Sequence, residues 1–491
     1  MTNGIIERTS ISSKVKEFLG DRGIEAYVVG GYVRDSLLNR DTGDVDIAVK
    51  ADALEIARGL ADYLGGRYVP LDESHQVARI VLVDGASRQN LDFSGYSDDI
   101  AADLGRRDFT IDAMAVEINQ WPEGFVERYL IDPFNGYRDL VERKLRVVRN
   151  GVFRDDPARL LRGVRLAGEL DMTIEENTKL LLRRDADLLI DVPGERIREE
   201  LVRLLDLPKA SVLLQQIDEL SMLTVICPEL ESSRGFSQPP EHYWDVLSHS
   251  LNAVAAVEFL LNQGKWEFGN EEILSHMPWS ESLAQHFESS VTSDSNRAVM
   301  LKLAALFHDV SKPQTMTVDD DGRWRFLGHA KEGALITRSV LERLRFSKRE
   351  VALAEIEVYY HLRPAQMSTE GLPTRRAIFR YFRDTDGAGI DILYLALADF
   401  LATLGPHLDV YRWRRQTQLV DYVLSEFERQ ENISVWPRLI DGHDIINLFG
   451  IEPGPRLGRL LGQVQESQAA GEVTTREQAI DLVRRQLTLD R

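Results

Sequence analysis

The sequence predicts an α+β chain in which a small mixed-sheet domain is followed by helical domains only. Three observations carry this. Up to about residue 145, short apolar runs with strand character alternate with helical patterns. From Pro208 onward the apolar residues recur at helical spacing. The length, 491 residues, suits roughly three domains.

An amphipathic helix is expected over Ser12 to Leu19, and strands at Ala26–Val29, Asp44–Val49, Ala78–Val83 and Asn90–Phe93. A helix is expected over Ala53–Leu64, with the helices on one side of the sheet. The stretch Val28 to Val49, VVGGYVRDSLLNRDTGDVDIAV, organises this domain. It reads as a strand, a Gly30-Gly31 turn, a helix start and a second strand carrying Asp44-Val45-Asp46. Two glycines let the backbone approach a bulky anion, and a helix N-terminus points free N–H groups at it. Side chains alternate along a strand, so Asp44 and Asp46 project from one face. A carboxylate pair of this kind suits Mg²⁺, which takes one or two carboxylates plus substrate phosphates. Either feature alone reads as a tight turn or a solvated strand end; together they imply nucleotide chemistry. Asp92, in a later strand, reads equally as a third carboxylate of that site or as a strand end.

With Arg34-Asp35 between them, Gly-Gly-x-x-Arg-Asp and Asp-x-Asp resemble the opening signature of the class II CCA-adding and bacterial poly(A) polymerase family of nucleotidyltransferases. The resemblance implies a polymerase-beta-like head over residues 1–145. In it Gly30, Gly31 and Arg34 hold a triphosphate, with Asp35 in the same nucleotide-binding turn, and Asp44 and Asp46 hold the catalytic Mg²⁺, with Asp92 joining the catalytic carboxylates on the third-carboxylate reading. Arg106-Arg107-Asp108-Phe109-Thr110 is by itself a helix cap, but resembles the family motif whose Arg and Asp contact the ribose. Asp108 would accept from the 2′-OH that marks RNA-type nucleotides. The family has Asn two residues after the Thr, where this chain has Asp112. Asp132-Pro133-Phe134-Asn135-Gly136 resembles a family turn and is read as structural.

A neck is expected over 146–235. From Arg143 to Arg165 eight basic residues face two acids, a local patch able to bind RNA in a chain whose net charge is −20. Arg154-Asp155-Asp156-Pro157-Ala158-Arg159-Leu160-Leu161-Arg162 is expected to begin a helix, with acids in its first turn and Pro just inside. Its resemblance to the family's acid-Asp-x-x-Arg pattern implies that Asp156 and Arg159 read the incoming base, with Arg162 among the nucleotide-binding residues. At i and i+3 on one helix face, a carboxylate and a guanidinium stand side by side. Cytosine and adenine offer an exocyclic amine beside ring acceptors, whereas uracil and guanine put a carbonyl opposite the carboxylate. Such a pair selects CTP and ATP without a nucleic-acid template. Pro193 to Leu205 resembles a later neck helix, in which Glu195 and Arg196 pack and pair.

A second constellation spans an expected domain at 236–400: His249, His308-Asp309, His329, His361 and Asp399. It resembles the HD phosphohydrolase family, implying a divalent metal on His249, His308, Asp309 and Asp399, with His329 and His361 on a second ion or a phosphate. Such mixed ligands suit a transition metal better than Mg²⁺ alone, and a bound metal can activate water against a phosphoester. Asn262 to Ser295 reads as a variable insertion. The resemblance implies an RNA-binding tail at 401–491. In it Tyr411-Arg412-Trp413-Arg414-Arg415 interleaves aromatic and basic groups, which reads as RNA binding or as an ordinary helix face, and Gly454-Pro455-Arg456-Leu457-Gly458 leads into a helix. His443 lacks flanking ligands.

The resemblance thus implies template-independent addition of CMP, AMP or both to the 3′ end of tRNA, from CTP and ATP. Only thirteen residues separate Asp92 from Arg106, where full CCA-adding members carry a longer flexible loop, which favours CC addition. Poly(A) synthesis, a chiefly phosphohydrolase role and a non-catalytic RNA-binding role stay open. No targeting segment is read, no apolar run approaches a membrane span, and the single cysteine, Cys227, fits a reducing cytoplasm. No protein partner is read.

Overall fold

The computed structural model describes residues 2–40, 43–84, 87–122, 127–261, 265–368, 371–433 and 439–489. The chain divides into two compact units, one of residues 1–192 with 217–225 and the other of 193–216 with 226–491.

The first unit is built on a seven-stranded mixed sheet: β1 Ala26–Val29, β2 Asp44–Val49, β3 Arg67–Asp72, β4 Val77–Asp84, β5 Ser87–Gly95, β6 Ala115–Glu117 and β7 Leu130–Ile131, in the order β3-β4-β5-β2-β1-β6-β7. Within this sheet, among the described residues, only β2 and β5 pair in parallel, and their register sets Asp46 beside Asp92; a separate parallel pair joins Lys144–Leu145 to Thr173–Ile174. The four expected strands are present. Those not foreseen are β3, an edge strand carrying Pro70, and the very short β6 and β7, none of which alternates clearly enough to read. The expected helix forms over Ala53–Leu64, where the Asp52 side chain accepts from the Leu54 and Glu55 amides and Gly65 ends it in the left-handed region. The first helix is longer than expected, Thr2–Gly20, with Val15, Phe18 and Leu19 buried near its end.

Between β5 and the Arg-Arg-Asp motif lies no loose loop. Tyr96, Ile100 and Leu104 are buried with Val29 and Ala48, and Asp99 caps the short helix Ile100–Leu104. Ala48 shares the alternating face of Asp44 and Asp46, so this segment covers that same face farther along β2.

The Asp132–Gly136 turn is structural, as expected. Asp132 accepts from the Gly136 and Tyr137 amides at 2.7 and 2.9 Å, capping the helix Gly136–Val141. A Cβ at Gly136 would lie 2.1 Å from the Thr110 carbonyl oxygen.

The expected neck helix is broken. Helices run over Val152–Asp155 and Arg159–Glu169, and Asp156 between them is extended, with φ −150° and ψ 97°. Pro157 causes this, because its ring excludes the helical region for the residue before it. Asp156 therefore accepts from the Ala158 amide at 3.2 Å instead of lying on a continuous helix face.

Among the described residues the second unit is helical except for a two-strand hairpin, Thr317–Val318 with Trp324–Arg325, that the all-helix expectation omitted. Its core packs Val246–Leu260, Arg297–Phe307, Lys348–Tyr360 and Gly389–Leu404. The expected insertion, of which 262–264 lie outside the described residues, is packed: Trp266 and Phe287 are buried, Trp279 stacks on Phe287, and the Tyr394 hydroxyl donates to the Pro278 carbonyl. Trp413 is fully buried and donates to the Ile273 carbonyl at 2.8 Å, so the aromatic-basic segment is split between core and surface. Against expectation, Gly389–His407 is apolar and long enough to cross a membrane, but most of it is buried in this bundle. The Gly454 turn leads into the helix Pro455–Ala469, and His443 is exposed on a separate helix, Gly442–Phe449.

Gly136→Ala is expected to destabilise the first unit by about 3 kcal/mol, because its methyl group meets backbone rather than a movable side chain. Urea unfolding followed by circular dichroism measures it, and a loss below about 1 kcal/mol would contradict the close approach.

Candidate active sites

In the first unit the β1–β2–β5 register assembles an oxygen-rich cluster. Asp46 stands between Val29 of β1 and Asp92 of β5, and Asp44 opposite Asn90, whose amide donates to it at 2.8 Å. Arg79 grips Asp92 with two hydrogen bonds of 2.7 Å. Burial raises the Asp46 pKa to about 6, against the pull of Arg107 and with the push of Asp92 and Asp112. A carboxylate held this reluctantly is relieved by a cation, and the donors facing it are the hard oxygens that Mg²⁺ prefers. Gly30 is required beside it. Its φ is +71°, and a Cβ there would lie 2.7 Å from an Arg107 nitrogen and 3.0 Å from the Asp46 carboxylate.

Arg34 does not stand free for a triphosphate. It is buried, held by Asp35 at 2.9 and 3.0 Å and by Asp112 at 2.6 Å. Arg34 and Asp35 thus hold the turn in shape, and Asp112 is a partner that the sequence reading left without a role. Its signal was the departure from the family's Asn. Burial raises the Asp112 pKa in spite of Arg34.

Asp108 accepts from the Phe109 amide at 2.9 Å and pairs with Arg162 at 3.0 Å. Burial opposes its ionisation, yet Arg162 and Arg159 hold it below the usual carboxylate range. Arg162 also approaches Asp112 at 3.8 Å. Arg159 lies 3.8 Å from Asp156 and donates to the Arg106 carbonyl at 3.2 Å, while the Arg106 side chain turns outward to Asp103. The break at Asp156 thus leaves the expected carboxylate–guanidinium pair together. Arg79 and Asn90, which hold two of the carboxylates, were not singled out in the sequence, because only the strand register brings them there.

In the second unit the expected residues converge. His249 Nε2 lies 3.2 Å from His308 Nε2, 3.4 Å from Asp309 and 3.1 Å from Asp399. His329 Nε2 lies 3.4 Å from Asp309 and 3.3 Å from His361 Nε2. His308, His329 and His361 each direct Nδ1 at a backbone carbonyl, of Ala305, Phe326 and Val358, at 2.7 to 2.8 Å. Those carbonyls call for an Nδ1–H, which leaves the inward Nε2 as a lone pair. Facing lone pairs at such distances fit a cation between them. Burial works against a charge on His308, but Asp309 and Asp399 raise its pKa to about 10. A metal satisfies that carboxylate field in place of the proton. The two candidate groups, His249-His308-Asp309-Asp399 and Asp309-His329-His361, share Asp309. Lys312, 2.6 Å from Asp309, and His242, packed on His249, flank them and were not read in the sequence.

A mixed-sheet head with an acidic strand pair is the architecture of a nucleotidyltransferase, here followed by a helical unit with a His-Asp cluster able to hold metal. Residues 26–146 match the poly(A) polymerase head domain, 171–233 the probable RNA and SrmB-binding site of polymerase A, and 264–402 the HD domain. The chain is 32% identical to an A-adding tRNA nucleotidyltransferase of Deinococcus radiodurans, over 94% of this chain and 95% of the relative. It is likewise 32% identical to a CC-adding tRNA nucleotidyltransferase of Thermus thermophilus, over 93% and 92%. A solved CCA-adding enzyme with ATP shares the fold at 23% identity and a TM-score of 0.62, covering 99% and 98% of the two chains. The chain belongs to the tRNA nucleotidyltransferase family that contains the CCA-, CC- and A-adding enzymes.

Two outcomes follow from this geometry. Asp112→Ala leaves Arg34 buried with one partner fewer and is expected to cost about 3 kcal/mol, Asp112→Asn clearly less, read by urea unfolding. Asp309→Ala is expected to abolish divalent-metal uptake in the second unit, measured by calorimetry with Mn²⁺ or Ni²⁺ on chelator-treated protein. Unchanged stoichiometry would show that the cluster holds no metal through Asp309.

Proposed function

We propose that the chain adds CMP, AMP or both to the 3′ end of tRNA, taking CTP and ATP as substrates and releasing pyrophosphate, without a nucleic-acid template. One observation carries the reading. Asp156 pairs with Arg159, which reaches the Arg106 backbone and, together with Arg162, holds Asp108 ionised, and Arg107 stands beside Asp46, so the proposed base and ribose readers adjoin the acidic cluster.

Asp44 and Asp46 would hold Mg²⁺, with Asp92 aligned beside them, and the ion when bound supplies charge stabilisation at the α-phosphate and acidifies the RNA 3′-OH. Gly30 and Gly31 admit the phosphates close to the backbone, and Arg107 adds a positive charge there. Asp108 takes the ribose hydroxyl, and Arg106 stays at the rim. Asp156 accepts from the exocyclic amine of C or A, and Arg159 donates to the adjacent ring acceptor. Arg34 and Asp35 act on the nucleotide only by shaping the turn. The working division is a head over 1–145, a neck over 146–235, an HD domain over 236–400 and a tail over 401–491, in a cytoplasmic protein.

The packed segment Tyr96–Leu104 favours CC addition, because buried Ile100 and Leu104 leave little chain to swing over the site. A second reading, hydrolysis of a phosphoester at an RNA 3′ end by the HD centre, rests on the converging histidines and aspartates.

The test is incorporation by purified protein on tRNA lacking CCA, tRNA ending in CC and a generic RNA, with each nucleotide alone and with CTP plus ATP. CC without A is expected, and Asp46→Asn is expected to lower the rate by at least about 100-fold. Addition of A alone to the CC-ending tRNA would overturn the specificity, and no incorporation on any RNA would overturn the activity. The pH dependence has a defined sign. The folded state holds the Asp46 proton up to about pH 6, above the unfolded value near 4, so without a cation its contribution to stability falls as pH rises between them. Mg²⁺ must displace that proton, so half-saturating Mg²⁺ is expected to be several-fold higher at about pH 5 than at about pH 8.

A further inference from the structure

The helix Val410–Ile433 buries Trp413, Thr417 and Val420 on one side. Its other side turns Arg412, Arg415, Gln416 and Leu419 toward a cavity of about 420 Å³, closed by Phe400 and by Ser368, Gly371 and Leu372. The spacing i, i+3, i+4 and i+7 puts these four on one stripe. Among the described residues no carboxylate lines it; residues 369–370, between Ser368 and Gly371, lie outside the described residues. Among the described residues neither Arg412 nor Arg415 has an acidic partner, unlike Arg414 on the same helix, which reaches Glu272. Arg412 lies over the Phe400 ring, 5.7 Å from its centre, and Leu372 is 62% exposed at the opening.

These features specify a ligand. Two guanidiniums one turn apart, with no acidic partner among the described residues, suit an anion, and their planar donors match phosphate oxygens. A half-buried aromatic ring and an exposed leucine beside them offer a flat apolar wall, and Gln416 and Gln418 present amides that both donate and accept. The volume is that of a small-ligand pocket.

We propose that this pocket binds one nucleotide unit, its phosphate on Arg412 and Arg415 and its base against Phe400 and Leu372. The unit comes either from an RNA strand or from a free nucleotide, and the tRNA arm of the test rests on the transfer reading above. The site divides the work within one short motif. Trp413 anchors the helix, and the arginines on either side of it serve the ligand.

The full-length Arg412→Ala/Arg415→Ala protein tests this, with Arg412→Lys/Arg415→Lys as a charge-preserving control. Both replaced side chains are exposed, so the buried face of the helix is untouched. Binding of tRNA lacking CCA is followed by fluorescence anisotropy over a range of salt, and binding of CMP and AMP by calorimetry. If RNA supplies the unit, the alanine variant binds tRNA about tenfold more weakly and its log K against log salt slope falls by about 1 to 2, while the lysine variant keeps that slope. If a free nucleotide supplies it, the alanine variant loses one CMP or AMP per chain and tRNA affinity is unchanged. If neither changes, the pocket binds no nucleotide and the inference fails. Failure of the transfer reading is separate: wild-type protein would then incorporate nothing, whatever the arginines do to binding.

Discussion

Buried negative charge is the constraint on which the first unit depends. Asp46 feels the charges of Asp92 and Asp112, and Asp112 that of Asp108; Asp108 and Asp112 are buried and Asp46 and Asp92 only partly exposed. Isolated, each would cost several kcal/mol or take up a proton. Arg79, Arg34 and Arg162 each take one or two of them, and Arg107 approaches Asp46. The arginines are distributed so that Asp46 remains short of compensation, which is the state a divalent cation corrects. The surrounding backbone yields to this lattice. Gly30 is forced by the Arg107 guanidinium, and Gly136 by the carbonyl of Thr110, two residues before Asp112.

The second unit meets a comparable demand with softer groups. Three imidazoles are fixed by backbone carbonyls, those of Ala305 and Val358 near helix C-termini and that of Phe326 in the turn before the helix His329–Arg343, so main chain decides their orientation. Asp309 sits at the junction of both candidate ion positions, with Lys312 beside it. The long apolar helix Gly389–Leu404 supplies Asp399 to this centre and Phe400 to the neighbouring pocket, since adjacent helical residues point about 100° apart. One core helix thereby serves two sites.

Relatives of near-equal identity carry different specificities, one adding A and the other CC. Overall likeness therefore does not choose between them, and a local feature has to. The proposed CC addition rests on the Tyr96–Leu104 segment, which is short and anchored through its own side chains to the face of the sheet that bears Asp44 and Asp46.

The sequence by itself determined the central strands of the mixed sheet and the Asp44–Asp46 pair, written in short-range pattern: alternation along a strand and a Gly-Gly turn. The members of the His-Asp cluster lie far apart in the chain and were named through the family resemblance, with only the His308-Asp309 dipeptide written locally. The break at Asp156 was also written locally, in Pro157, and was passed over because acids followed by proline equally suit a helix start. Tertiary structure alone decided the partners. Arg34 meets Asp112 and Arg79 meets Asp92 through strand register and long-range packing, and no spacing in the chain encodes such meetings. The same holds for the Tyr411–Arg415 segment, where composition gave the aromatic and the charges, but only packing showed which residue the core would take. Periodicity reports which face a side chain occupies; what that face meets depends on chain far away in sequence.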